Sequence, residues 1–324
     1  MKDFITLAQG SGGKEMADLI QSFHFSNRSG WNHVDDDAAT FPISKDERLV
    51  FTTDSFTVDP LFFPGGDIGH LAMCGTINDL VVMGADPLGI SLGFVIEEGL
   101  AIKDLNRIVR SIDSISKEYK IPIVTGDTKV IERGKIDKMI INTSGVGRVK
   151  NADLLTKPIS IGDKIILSGG LGEHAVALLS KRFAYETTVV TDSKPLIREI
   201  QAVKQYLKIA KDPTRGGIAA TLNEICEKHQ IGMILDEENI PIKSEVNNVV
   251  EMLGINVYDL ACEGRFISIV SPDDADKVAN HLKRFNKDAA IIGEIIKDDK
   301  VIVQSILGKR ILPAPMGRIV PRIC

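Results

Sequence analysis

The sequence predicts an α/β (α+β) protein of two domains, a mixed-sheet N-terminal domain and an α/β C-terminal domain, followed by an extended arm. Three observations carry this expectation. Strand-like runs and helix-spaced runs are interleaved in both halves of the chain. A turn-rich stretch over residues 151–163, with Pro158, interrupts them near the middle. Residues 307–324 hold Pro313, Pro315, Gly317 and Pro321, which rule out a continuous helix and favour a semi-rigid extended chain. The expected boundaries are 1–155, 156–306 and 307–324.

Composition narrows the partners. A chain of 324 residues, 44% hydrophobic and 26% charged, is enough for two cores. Its 39 basic and 44 acidic residues give a net charge of -5, and no Lys/Arg block is interleaved with aromatics, so nucleic acid is not expected as a partner. No apolar run approaches the ~18 residues of a membrane span, and the first ten residues lack the apolar stretch of a signal peptide. Cys74, Cys226 and Cys262 are far apart and form no C-x-x-C pair, which suggests neither a disulfide framework nor a zinc site. A reduced, cytoplasmic protein is expected.

In chain order, Gly10-Ser11-Gly12-Gly13-Lys14 precedes Met16, Leu19, Ile20 and Phe23 at helical spacing. A glycine loop opening a helix exposes amides at the positive end of the helix dipole, and Lys14 adds a charge, so a phosphate suits it. The Walker A spacing is absent, and a flexible N-terminal turn fits equally well. Four acidic sites follow: Asp35-Asp36-Asp37, Thr52-Thr53-Asp54-Ser55, Asn78-Asp79 and Thr125-Gly126-Asp127-Thr128. Strands over 48–53 and 121–125 are each expected to end at a carboxylate, placing Asp54 and Asp127 at one sheet edge. Residues 67–84 are apolar on nearly every helical face, which predicts a buried helix carrying Asp79. No Lys or Arg lies in that segment, so the buried carboxylate needs a cation from elsewhere, and Mg²⁺ completed by phosphate and water meets the need. Any one of these aspartates could instead cap a turn.

Residues 86–97 read as a strand, 103–119 as an amphipathic helix and 138–148 as a strand. In the second half, 164–167 is a strand entering Ser168-Gly169-Gly170-Leu171-Gly172, read as a tight structural turn. Asp212-Pro213-Thr214 is expected to cap a helix, with Pro213 in its first turn and Thr214 able to meet an anion. Glu263-Gly264-Arg265-Phe266 leads into a strand, where Glu263 and Arg265 could form an ion pair. A helix over 273–285 and strands at 289–296 and 301–303 close the half. The arm then carries Cys324, whose thiolate would need cations such as Arg318, Arg322 or a pocket residue after docking. A frayed, functionless end is the plain alternative.

Taken together, the motifs SGGK, DDAA, TTDS, PGGDIG with GTINDLVVMGADP, TGDTK, DPTRGG, EGRF and PRIC resemble, in this order and across the whole chain, the HypE family of hydrogenase maturation proteins. That family lies within the PurM-like (AIR synthetase-like) superfamily of ATP-using proteins. The first seven motifs carry the superfamily resemblance, and Pro321-Arg322-Ile323-Cys324 singles out the family. The resemblance implies a two-domain PurM-like fold, dimerisation through the first domains, and ATP with Mg²⁺. It also implies that Cys324 receives a carbamoyl group from HypF, that ATP drives dehydration to a thiocyanate, and that cyanide passes to iron on HypC and HypD. The implied site comprises Ser11, Gly12, Gly13, Lys14, Thr53, Asn78, Thr128 and Thr214 for the nucleotide. Asp36, Asp37, Asp54, Asp79 and Asp127 would hold metal, the first two preferred to Asp35 because Ala38 and Ala39 follow directly. Lys129, from TGDTK, is either the base or a phosphate holder. A kinase or synthetase acting on a free small molecule and a nucleotide-gated binding module are the competing classes.

Overall fold

The computed structural model describes residues 5–10, 13–23, 30–317, 320 and 323–324. The first half contains α1 (Lys14–Gln21), β1 (Ala39–Pro42), β2 (Glu47–Phe56), β3 (Phe62–Phe63), β4 (Gly66–Asp67), α2 (Ile68–Val82), β5 (Asp86–Glu97), α3 (Ile102–Tyr119), β6 (Ile123–Ile131) and β7 (Met139–Lys150). The second contains β8 (Lys164–Leu167), α4 (Glu173–Phe183), α5 (Ile197–Val203), β9 (Leu207–Lys211), α6 (Gly217–His229), β10 (Gly232–Asp236) and α7 (Ser244–Leu253). It closes with β11 (Ile267–Val270), α8 (Pro272–Leu282), β12 (Ala290–Ile296), β13 (Val301–Ser305) and β14 (Gly308–Ile311).

The first sheet has the order β1-β2-β7-β5-β6, antiparallel except for the β5–β6 pair, and is therefore mixed. Helix α2 lies against β2, β7 and α3. Its start is set by Asp67, whose carboxylate accepts the amides of Gly69 and His70 at 2.9 and 3.0 Å, satisfying two donors that a helix N-terminus leaves open. Being apolar all round, α2 is buried on all faces, as its sequence predicts. The second sheet, β14-β13-β10-β12-β8-β11-β9, is also mixed, with β10 and β13 parallel.

Three expectations change. Strands β2 and β6 do not stop at their carboxylates but run on to Phe56 and Ile131, because Phe56 past Asp54, and Thr128, Val130 and Ile131 past Asp127, suit a pleated strand and the ladder to the neighbour continues beyond each carboxylate. Asp212 does not cap a helix: α6 begins only at Gly217, after Gly216 and Gly217 adopt positive φ (80° and 59°), leaving Asp212 at the end of β9. The first residues of the arm are a strand, since Gly308 (φ 134°) closes a hairpin that pairs β14 with β13. Extended chain begins after Ile311.

Candidate active site

A cavity of about 250 Å³ is lined by residues of both halves and by the arm. Six carboxylates face it, those of Asp36, Asp37, Asp54, Asp79, Asp212 and Glu263, while Arg215 is the single cation among the described lining residues. Thr52, Thr53, Thr214 and Cys324 complete the polar wall. Strand β2 presents Asp54, and α2 presents Asp79 from the layer beneath. Thr52 Oγ1 donates to Asp79 Oδ2 at 2.6 Å, and the Asp79 carboxyl also shares a hydrogen bond with Asp54. Asp37 pairs with Lys211 at 3.2 Å and Asp36 with Lys228, so the acidic loop of the first half is fastened to β9 and α6 of the second.

Burial pushes Asp37, Asp54, Asp79, Asp212 and Glu263 above the usual carboxylate range, most strongly Asp79, Asp212 and Glu263, which also repel one another's charge or that of Asp54 and Asp37. Asp36 Oδ2, Asp37 Oδ2, Asp212 Oδ2 and Glu263 Oε1 are buried with no hydrogen-bond partner among the described residues. Hard-cation chemistry matches this donor set: oxygen ligands, excess negative charge and unsatisfied lone pairs in one cavity. No three of the groups converge closely enough, among the described residues, to enclose a bare ion. A Mg²⁺ ion keeps water and phosphate among its six ligands and would need only one or two of these carboxylates directly.

Cys324 lines the cavity beside Arg215. Burial pushes its thiol up to about 12; Arg215 opposes this, and Glu263 and Asp54 add to it. The expectation that docking generates the thiolate is thus corrected. Removal from water outweighs one guanidinium, and the docked sulfur is held as a neutral group.

The other expected site residues divide. Thr53 and Thr214 line the cavity. Ser11 and Gly12 lie outside the described residues, as do Arg318 and Arg322. Gly13 (φ 85°) sits so close to the arm that a Cβ would lie 2.2 Å from the Pro315 carbonyl oxygen. Lys14 donates its amide to that oxygen at 3.2 Å, and Gly317 donates to Glu15 Oε1 at 3.0 Å. The helix N-terminus expected to take phosphate therefore holds the arm. Asn78 is a correction: its amide nitrogen donates to the carbonyls of Lys194 and Glu263, both at 3.1 Å, and its oxygen accepts from Leu196 at 2.9 Å. Both donors are engaged in joining the halves, and none is left for a nucleotide.

Asp127, Thr128 and Lys129 do not reach the cavity of their own chain. They lie on β6, the sheet's edge, exposed, with Lys129 Nζ 2.9 Å from Asp127 Oδ2. Asp54 pairs with Thr143, Asn142 with Gly93, and Gly93 with Asp127, so three strand spacings separate the two aspartates, roughly 14 Å. One chain does not bring them into the same cavity. Glu263 and Arg265 do not pair either: Arg265 binds Glu173 at 2.5 Å, freeing Glu263 for the cavity. Arg215 was not singled out in the sequence, although DPTRGG contains it; a cation between a buried aspartate and a glycine pair was the available signal.

The comparisons agree with this architecture. The family model described as "AIR synthase related protein, N-terminal domain" matches residues 35–149, and its C-terminal counterpart matches 160–306. A carbamoyl dehydratase HypE of Rhizobium leguminosarum bv. viciae is 42% identical, covering 99% of this chain and 95% of the relative. HypE of Escherichia coli K12 is 38% identical, with 99% of each covered. The crystal structure of a HypE–HypF complex superposes with a TM-score of 0.85 at 38% identity, over 93% of this chain and 100% of that one. That of HypE in complex with ATP gives 0.80 at 36% identity, over 98% and 100%. With two AIR synthase related domains and full-length similarity to these relatives, the chain belongs to the carbamoyl dehydratase HypE family of hydrogenase maturation proteins.

Proposed function

We propose that the chain carries out ATP-dependent dehydration of an S-carboxamide on its own Cys324, giving a thiocyanate for hydrogenase maturation. The observation that carries this reading is the position of Cys324, which faces six carboxylates and Arg215 in one cavity. At about 250 Å³ the cavity is smaller than the ~300–1,000 Å³ of a small-molecule pocket, so it suits a phosphoryl group and the arm's reacting end. A free small-molecule substrate, the rival reading, would have to share that space with the arm.

In the reaction the amide oxygen attacks the γ-phosphorus, the bond to ADP breaks, the N–H protons leave, and the C–O bond breaks to release phosphate and leave S–C≡N. Mg²⁺, reached by Asp37, Asp54, Asp79 and Asp212 either directly or through its water ligands, would neutralise phosphate charge. Arg215 orients the amide oxygen and stabilises charge on it as phosphate departs. Glu263 accepts an N–H proton; its raised pKa makes its ionised form a stronger base than an ordinary glutamate. Thr53 and Thr214 offer hydroxyls to phosphate oxygens.

In this reading residues 1–155 bind nucleotide and dimerise, 156–306 complete the site, and 307–324 deliver Cys324. HypF loads the carbamoyl group and HypC with HypD receives the product; among the described residues no helix is long and apolar enough to cross a membrane. A homodimer through β6 is supported by Val124 and Val130, which are 63% and 67% exposed on the edge strand. It would carry Asp127, Thr128 and Lys129 to a neighbouring copy's cavity, where Lys129 serves as base or phosphate holder. Val124→Asp should then give a monomer by light scattering that has lost ATP turnover yet melts cooperatively. An active monomer would remove the dimer and the role of Lys129 together.

Intact mass tests the activity itself. After incubation with HypF, carbamoyl phosphate and ATP, the Cys324 peptide should gain a carbamoyl group and then lose one water. A phosphorylated free product with unmodified Cys324 would instead support a small-molecule kinase.

A further inference from the structure

The loop Ser168–Gly172 and the helix that follows have a role beyond turning the chain. Gly172 (φ 77°) starts α4 and sets His174 in its first turn, fully buried. His174 Nε2 lies 2.7 Å from the carbonyl oxygen of Ile323, and its Nδ1 lies 2.7 Å from Thr191 Oγ1. A carbonyl only accepts, so Nε2 carries the proton, and the Thr191 hydroxyl donates to Nδ1, fixing that tautomer. Phe63 packs edge-on to the imidazole, with ring centroids 5.4 Å apart. From the other half of the molecule, the amide of Thr57, just past β2, donates to a main-chain carboxylate oxygen of Cys324 at 3.2 Å. The Ile323 side chain, 5% exposed, is buried in the same hydrophobic core.

We infer that His174, with the main chain of Thr57, forms a docking site that reads residues 323–324 of the arm, and that His174 is a positioning residue for Cys324. The site recognises an extended peptide by two main-chain oxygens, the Ile323 carbonyl and the carboxylate of Cys324, and by one aliphatic side chain. Because one donor comes from each half, a seated arm also ties the halves together. The inference rests on Cys324 being the reacting residue, but seating is measurable without ATP or a carbamoyl donor, so the two can fail separately.

The readout is the rate at which iodoacetamide modifies Cys324 in the full-length protein, followed by peptide mass, the other three cysteines being buried. Ile323→Asp, which puts a charge in the apolar seat, sets the rate of an unseated arm. His174→Leu should raise the native rate about tenfold, the scale for a buried carbonyl that loses its donor. His174→Gln, whose amide can donate from the Nε2 position, should restore the slow rate. Thr191→Val, which frees the tautomer, should also accelerate modification, and it serves if His174→Leu does not melt as a folded protein. Native-like rates in folded His174→Leu and Thr191→Val would overturn the inference, as would a native rate equal to that of Ile323→Asp. Equal acceleration by His174→Leu and His174→Gln would show packing rather than the hydrogen bond at work, and would overturn it too.

Discussion

Asp79→Asn should lower ATP turnover by at least about a hundredfold while raising the melting temperature of the ligand-free protein. Both signs follow from one environment. Asp79 is buried in α2 with the Thr52 hydroxyl as its support, and its pKa is raised first by burial and then by the charges of Asp54, Asp212 and Asp37. A carboxyl whose folded pKa exceeds its unfolded value binds more protons when folded, so its contribution to stability is greatest below about pH 4 and declines as pH rises toward the raised value. Above about pH 4 burying this carboxyl therefore costs stability, and a bound cation would relieve that cost. The amide removes the charge, and a gain of about 1 kcal/mol would shift the midpoint up by roughly 2–4 °C. It also removes a metal ligand of the proposed site. Calorimetry from pH 5 to 8 should show a flatter pH dependence in Asp79→Asn than in the native chain. Native turnover in the variant would end the metal assignment, and a lower melting temperature would end the electrostatic account.

Arg215→Gln should have the opposite effect on stability and a similar effect on chemistry. Among the described lining residues Arg215 is the one cation on a wall of carboxylates, and attraction at the Cys324 end of the arm and to the Asp54, Glu263 and Asp79 carboxylates holds its pKa up against the opposing effect of burial. Removing it leaves those charges unopposed, a change that costs about 3–5 kcal/mol where a buried pair is broken. The dehydration step should slow by roughly 10²–10³-fold, the usual effect of losing one donor to a developing oxyanion. Single-turnover loss of water from the carbamoylated Cys324 peptide measures that step. Added guanidinium at low millimolar concentration should recover part of the rate in Arg215→Gln but not in Asp79→Asn. A variant that dehydrates at the native rate would assign Arg215 to structure alone.

What the sequence by itself determined is local and periodic. The buried helix α2 was legible because residues 67–84 are apolar on nearly every face. Strand β5, helix α3 and strand β7 followed from alternation and helical spacing, and the arm from its prolines. The order of motifs was enough to indicate the family. What only the tertiary structure decided is which of the chemically suitable residues share a cavity. Asp54 and Asp127 both stand on strands of one sheet, but strand order, which no local pattern encodes, puts three strand spacings between them. Asn78, next to Asp79 in sequence, faces the seam between the halves and uses its amide there. Arg265 is neutralised by Glu173, ninety-two residues away in the chain, and not by the nearby Glu263. The protonation state of Cys324 was likewise beyond composition. It depends on how much water the cavity excludes, and that is a property of the packed fold.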